Sequence, residues 1–272
     1  MDLHFTKIEG NGNDFILIDE YERIAVPDGM KAQFAALYCD RRFGIGADGV
    51  LYLSGSDKAD LKMRLLQPDE SEAEMCGNGL RCFVRYAFDS GYIKEECTVE
   101  TLAGVIAVSM GYEDDTFMAT IDMPAPMFDR KDIPATGDGE YHEKILDYDV
   151  YAVNTGVPHA VAFVDNVDAV DIDEAGPVIR NHKTFPKGAN ANFVERTEGG
   201  TLRIRTFERG VEGETYSCGT GATAAAVIAH KRGMTGETIH IETKGGPLVV
   251  YISDKVKMKG PAEKVFRGAI PF

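Results

Sequence analysis

One short element occurs twice in this chain, as Cys76-Gly77-Asn78-Gly79 and as Cys218-Gly219-Thr220-Gly221, at an offset of 142 residues. Each copy directly precedes a run of helix-forming apolar residues. The offset holds well beyond the cysteines: Gly91 pairs with Gly233, Glu100 with Glu242, Thr101 with Thr243, Gly104 with Gly246 and Val108 with Val250. Both copies read as a Cys-Gly-x-Gly entry, a helix, a glycine stop, a strand ending in Glu-Thr, a turn with glycine, and another strand. A chain duplicated in this way folds as two similar halves. Its 272 residues suit two cores of roughly 130 residues each.

The pattern around the repeat points to an α+β fold. Leu80, Phe83, Val84, Ala87 and Phe88 recur at the spacing of one helical face, so the first helix buries a single stripe. The second, 222–229, is apolar nearly all round and must be enclosed. Short alternating segments at 50–53, 61–66, 98–101, 105–108 and 202–207 supply the enclosing strands, and apolar stretches at 14–19 and 159–165 open the two halves. The expected architecture is two pseudo-symmetric domains, each a mixed or antiparallel sheet wrapped around a central helix. The break at Met123-Pro124-Ala125-Pro126 sets the boundary. Residues 1–123 form the half with Cys76, and 124–263 the half with Cys218. A last strand within 264–272, around Val265-Phe266, is free to return to the first half.

Composition excludes several functions. With 29 Lys and Arg against 44 Asp and Glu, the formal net charge is −15, and no basic cluster reverses it locally. Nucleic acid and anionic membrane surfaces are therefore not expected partners. The N-terminal residues show no signal pattern and no apolar run reaches the ~18 residues of a membrane span, so a cytoplasmic protein is expected. Five cysteines, an odd number, argue against a disulfide framework, and no ligand spacing supports a metal site. Cys39, Cys82 and Cys97 read as small buried residues. The segment Gly44-Ile45-Gly46-Ala47-Asp48-Gly49 fits a dinucleotide-binding pattern, but a helical run precedes it and a strand follows it. That is the reverse of the order the pyrophosphate requires.

A thiol at a helix start feels the positive end of the helix dipole and unpaired N–H groups, both of which lower its pKa. Taken alone, one Cys-Gly-x-Gly turn reads as a tight helix entry; two in register suggest chemistry. Two opposed thiols can invert a carbon stereocentre, one removing the proton from one face while the other supplies a proton to the opposite face. Helix N-termini with glycine-rich turns can direct backbone N–H groups at an α-carboxylate and stabilise the developing carbanion without a cofactor. His159 and the pair Glu208-Arg209 lie in the segment leading to Cys218. Two other readings stay open: a cysteine hydrolase with Cys218 as nucleophile and His159 as its base, which leaves Cys76 idle, and an amino-acid binding protein with no use for sulfur.

Residues 10–15, 44–48, Met75 to Gly79, Pro158-His159, Asn190, Glu208-Arg209-Gly210 and Cys218 to Gly221 together resemble the diaminopimelate epimerases from end to end. Proline racemase-like enzymes share the two-cysteine plan but typically carry His where this chain has Asn78. The resemblance implies a cofactor-independent isomerase that interconverts LL-2,6-diaminopimelate and the meso form, in lysine and peptidoglycan precursor synthesis. It implies Cys76 and Cys218 as the acid/base thiols, and His159 and Glu208 as groups that adjust their protonation. Gly77, Asn78, Gly219 and Thr220 would cradle the reacting α-carboxylate, and Asn13, Gln67, Asn190, Glu208 and Arg209 would complete the substrate contacts, mostly at the distal end. The implied partner is a small amino acid, with no metal; a homodimer is a frequent form of the family. Gln67, Val157 and Gly49 depart from common family residues, and valine cannot make an amide hydrogen bond.

Overall fold

The computed structural model describes residues 2–272. The chain divides into two compact units, Met1–Ile121 with Gly260–Phe272, and Asp122–Lys259. The boundaries fall two residues before the expected 123/124 junction and four before the expected 264; at the first of them Met123 N already donates to Val256 O within the second unit.

In the first unit, β1 (Asp2–Gly10) and β2 (Asn13–Asp19) form a hairpin whose two-residue turn, Asn11-Gly12, has positive φ at both positions (54° and 79°). Asn-Gly suits this turn because both residues tolerate the left-handed region and the turn's twist matches that of the strands. α1 (Lys31–Tyr38) crosses over to β3 (Gly49–Ser54), which lies parallel to β2 with Phe15 opposite Gly49. β4 (Leu61–Leu66) pairs antiparallel with β3, and the short β5 (Glu72–Ala73) folds back on its end. α2 (Gly77–Asp89) then leads to β6 (Glu96–Thr101), parallel to β4, followed by β7 (Gly104–Glu113) and β8 (Thr116–Asp122) as a meander.

The second unit repeats this order after an extra edge strand, β9 (His142–Ile145). β10 (Tyr148–Asn154) and β11 (Pro158–Val164) form the hairpin, α3 (Ile172–Arg180) the first crossover, and β12 (Asn190–Arg196), β13 (Leu202–Glu208) and β14 (Gly213–Thr215) the next three strands. α4 (Gly219–Lys231) precedes β15 (Thr238–Thr243), β16 (Gly246–Ile252) and β17 (Val256–Pro261). The parallel pairs match residue for residue: Lys62 opposes Glu100 in one unit, and Arg203 opposes Glu242 in the other. The duplication therefore reaches upstream of the recognisable repeat. The stretches expected to open each half are second strands, β2 and β11.

The chain finally returns to the first unit as β18 (Glu263–Pro271), antiparallel to β1 with Leu3 opposite Ile270. Val265 and Phe266 on it are about half exposed, so the strand is held by its ladder and one edge-on ring contact, Phe5 with Phe266, more than by apolar burial.

Each unit encloses its own helix. α2 packs against β1, β2, β3, β4, β7 and β18, and α4 against β10, β11, β12, β13, β15 and β16. Gly221 through Ala229 are all buried, as an all-apolar helix requires. Leu80, Phe83, Val84 and Ala87 are fully buried on α2, with Phe88 half-buried against Phe117. Arg81 and Cys82, off the expected stripe, are fully buried too. Gly44 to Gly49 serves structure: Gly46 N–H caps α1 by donating to Tyr38 O, and a Cβ on Gly49 would stand 2.7 Å from Leu65 Cδ1.

Candidate active site

Cys76 is the N-cap of α2, with extended backbone (φ −139°, ψ 117°), and its sulfur accepts a hydrogen bond from Gly79 N at 3.4 Å. This is the geometry in which a capping side chain satisfies an orphan helix N–H, with sulfur in place of the usual oxygen. The Asn11-Gly12 turn delivers Asn13 to the same place. Cys76 Sγ donates to Asn13 Oδ1 at 3.6 Å, and Asn78 Nδ2 donates to the same oxygen at 3.3 Å. Asn13 Nδ2 in turn donates to Asp48 Oδ2 at 2.6 Å, which fixes the amide with its oxygen toward the thiol.

Behind Asn13 lies an ionic cluster. Arg41 bonds both Asp14 (2.6 Å) and Asp48 (2.7 Å), and buried Lys7 bonds Asp14 and the carbonyl of Gly46. Burial alone would raise the Asp14 pKa, yet the bonds from Arg41 and Lys7 hold its carboxyl below the usual range. The remaining residue expected in this unit, Gln67, sits in an exposed turn after β4, where its amide oxygen accepts from Ser71 Oγ at 3.1 Å.

Cys218 is likewise the N-cap of α4 in extended backbone (φ −121°, ψ 106°), but its side chain makes no capping bond. Its sulfur instead lies 3.5 Å from Thr220 Oγ1, which is 2.9 Å from His159 Nε2. His159 is fully buried on β11. Asn190 and Asn192, alternate residues on β12, both approach the ring: Asn192 Nδ2 is 3.2 Å from Nδ1 and Asn190 Nδ2 is 3.4 Å from Nε2. With Asn192 donating to Nδ1, the ring carries its proton on Nε2 and donates it to Thr220, which leaves the 3.4 Å approach of Asn190 Nδ2 a contact and not a hydrogen bond, and the Thr220 hydroxyl proton can then point at Cys218. Burial, assisted by the positive charge of Arg209, lowers the His159 pKa from its usual 6.5 to about 3, so the ring is neutral at physiological pH.

The other expected residues of this unit close the ring around Asn190. Arg209 N donates to Asn190 Oδ1 at 2.8 Å, while its guanidinium reaches the carbonyls of Lys187 and Gly188. Glu208, the last residue of β13, accepts from Thr215 Oγ1 at 2.9 Å. Gly77 and Gly219 occupy the first helical positions after each cysteine. Thr155, on the turn before Pro158, donates to the carbonyl of Thr220 at 2.9 Å and ties the hairpin to the start of α4.

Strand register aligns the two units further. Counted from the matching pairs Lys62–Glu100 and Arg203–Glu242, Gly49 takes the place of Asn190 and Phe15 that of His159; a Cβ on Gly79 would meet the Phe15 ring at 3.4 Å, as one on Gly221 would meet the His159 ring. The first unit thus carries a buried apolar ring where the second carries a buried neutral imidazole, and its charges lie on the neighbouring Asp14 and Asp48. Arg81, Thr155 and Asn192 were not singled out from the sequence. Asn192 had a signal: a second amide two residues after Asn190 falls on the same face of a strand whose other residues are apolar. The three remaining cysteines are buried, and burial pushes Cys39 and Cys97 up to about 12 and Cys82 well above the usual thiol range.

A family model described as diaminopimelate epimerase matches residues 5–127 and 151–265. The chain is 53% identical to the diaminopimelate epimerase of Methanocella arvoryzae, covering 98% of this chain and 96% of that one. It is 51% identical to that of Methanothrix thermoacetophila, over the same shares of each. Among solved structures, a phenazine biosynthesis protein of the PhzF family from Bacillus anthracis superposes over 100% of both chains with a TM-score of 0.76 at 16% identity, a likeness of fold.

Proposed function

Because the chain belongs to the diaminopimelate epimerase family, we propose that it interconverts LL-2,6-diaminopimelate and meso-diaminopimelate by proton transfer at one α-carbon, with Cys76 and Cys218 as the two acid/base groups. The observation that carries this reading is the duplicated placement of the thiols. Each occupies the N-cap position of its unit's enclosed helix, and each is followed two positions on by a polar residue, Asn78 or Thr220, that shares its hydrogen-bonding surroundings. One thiol takes the α-hydrogen as thiolate and the other delivers a proton to the opposite face. The starts of α2 and α4, at Gly77, Asn78, Gly219 and Thr220, direct their positive dipole ends and backbone N–H groups toward the α-carboxylate and stabilise the carbanion as it forms.

His159 acts in this scheme as a neutral donor through Thr220, and Glu208 keeps the approach to Cys218 in order through Thr215. Arg209, Asn190, Asn13 and Gln67 take the distal amino and carboxylate groups, the guanidinium by a two-pronged contact. The reaction requires no pyridoxal phosphate or metal. Among the described residues no helix is long and apolar enough to cross a membrane; the proposed location is the cytoplasm, where the product serves lysine and peptidoglycan precursor synthesis. The test is conversion of LL-diaminopimelate by the purified chain without added cofactor. Cys76→Ala and Cys218→Ala should each lower kcat/KM by about 10³-fold or more. Turnover that survives either replacement at near its normal rate refutes the assignment.

A further inference from the structure

Arg81, in the second turn of α2, has no solvent exposure. Its Nη2 donates to Asn11 Oδ1 at 2.6 Å and to Asn78 Oδ1 at 3.0 Å, and its Nε to Pro261 O at 3.0 Å. All three acceptors are neutral, and the buried Nη1 has no hydrogen-bond partner. A guanidinium taken out of water without a carboxylate to meet it is costly unless another negative charge offsets it. It also stays protonated, because arginine does not give up its proton in proteins. At the equivalent position of α4, 142 residues on, stands Thr223, whose hydroxyl donates to Gly219 O at 2.9 Å. The cation is therefore specific to the first copy of the site.

Its surroundings say what it serves. Asn78 accepts from Arg81 on its oxygen, which leaves Nδ2 to reach Asn13 Oδ1, the same atom that receives the Cys76 thiol. Negative charge on Cys82, Cys76 and Glu9 interacts favourably with the guanidinium, and Cys82 also feels Asp14. Of these groups, Cys82 is buried and held in its neutral form. Asp14 is matched by Lys7 and Arg41, and Glu9 lies at the Asn11-Gly12 turn, accepting from Gly12 N. Cys76, at the positive end of α2, is the ionisable group that the helix dipole and Arg81 favour together.

We propose that Arg81 is a positioning residue for Cys76: it fixes the Asn78 amide beside the thiol and holds a permanent positive charge inside α2 that favours the thiolate of Cys76, a task that has no counterpart at Cys218. This deepens the acid/base reading of Cys76 and rests on it for its effect on turnover. The test reads the thiol directly. Iodoacetamide labelling of Cys76 and Cys218 in the full chain, resolved by peptide mass spectrometry, is followed from pH 5 to pH 10 in the wild type, Arg81→Met and Arg81→Lys.

Arg81→Met should move the Cys76 labelling midpoint up by about one pH unit or more and leave that of Cys218 in place. Arg81→Lys keeps the charge but cannot span three acceptors, so it should hold the Cys76 midpoint near that of the wild type while lowering kcat/KM about tenfold or more. An unmoved Cys76 midpoint in Arg81→Met, or equal shifts at both cysteines, overturns the proposal. If Arg81→Met does not fold, Arg81→Lys decides: a raised Cys76 midpoint or an unchanged kcat/KM overturns it. Absence of epimerase activity in the wild type would instead count against the proposed function, since labelling needs no turnover.

Discussion

Glu72 and Glu214, 142 residues apart, each receive two hydrogen bonds from an arginine on the neighbouring strand, and each stands four residues ahead of a cysteine. Arg64 reaches Glu72 through Nε and Nη2 at 2.7 and 2.8 Å, and Arg205 reaches Glu214 at 2.7 and 3.1 Å. The pairs clamp β5 to β4 and β14 to β13, the short returns from which the chain enters α2 and α4. Both are mostly shielded from water, with side-chain exposures of 28% and 23% in the first pair and 23% and 15% in the second.

Breaking either clamp should loosen the thiol that follows it. Arg64→Met or Arg205→Met should cost about 2 kcal/mol, and lower kcat more than the matching lysine variant does, since lysine restores the charge but not the fork. Thermal unfolding should register a fall in Tm of roughly 4–8 °C. Unchanged Tm and kcat in both methionine variants would show the clamps to be idle.

Stability should fall with pH through His159. Its pKa is about 3 when folded and 6.5 when exposed, so between those values the unfolded chain binds the extra proton. The contribution is complete above pH 6.5 and is lost as pH drops toward 3. From pH 6.5 to pH 5 the loss is on the order of 2 kcal/mol. Urea midpoints measured over this range should fall less steeply in His159→Gln than in the wild type; equal slopes would place the proton uptake elsewhere.

The two second glycines of the repeat should respond differently to alanine. A Cβ on Gly221 would stand 2.5 Å from Asn192 Oδ1, the residue that orients His159, whereas on Gly79 its closest contacts are 3.4 Å. Gly221→Ala should cost about 1–3 kcal/mol and depress kcat, with Gly79→Ala milder on both counts. Equal effects would mean that Asn192 can step aside.

Much of this was legible in the chain itself. The duplication, the enclosed apolar helix and the two cysteines at helix starts follow from spacing and residue type, because helix entry and periodicity are local. Arg81 was not legible: a helical stripe assigns charged residues to the wet face, and only the closing of β1 and β18 around α2 buries this one. The same holds for α3, whose internal Pro177 argues against a helix until the Asp171 cap and packing on β12 and β13 override it. The pairing of Phe15 with the place of His159 needed strand register, which a sequence of differing loop lengths conceals.

Iodoacetamide at pH 7.5 should discriminate among the five thiols. Cys76 and Cys218 should label first, and Cys39, Cys82 and Cys97, held neutral by burial, only on unfolding. Cys39→Ala should keep its activity. Rapid native labelling of Cys39 or Cys97 would contradict their role as inert core.

The two-thiol claim is tested most directly by the early course of the reaction in deuterium oxide, starting from LL-diaminopimelate. A monoprotic thiolate that removes the α-hydrogen holds it and can return it, while the opposite thiol supplies deuterium from solvent. The account predicts that the first meso product carries one deuterium at the inverted carbon while recovered LL substrate remains unlabelled. Deuterium entering recovered LL substrate as fast as product forms would contradict it.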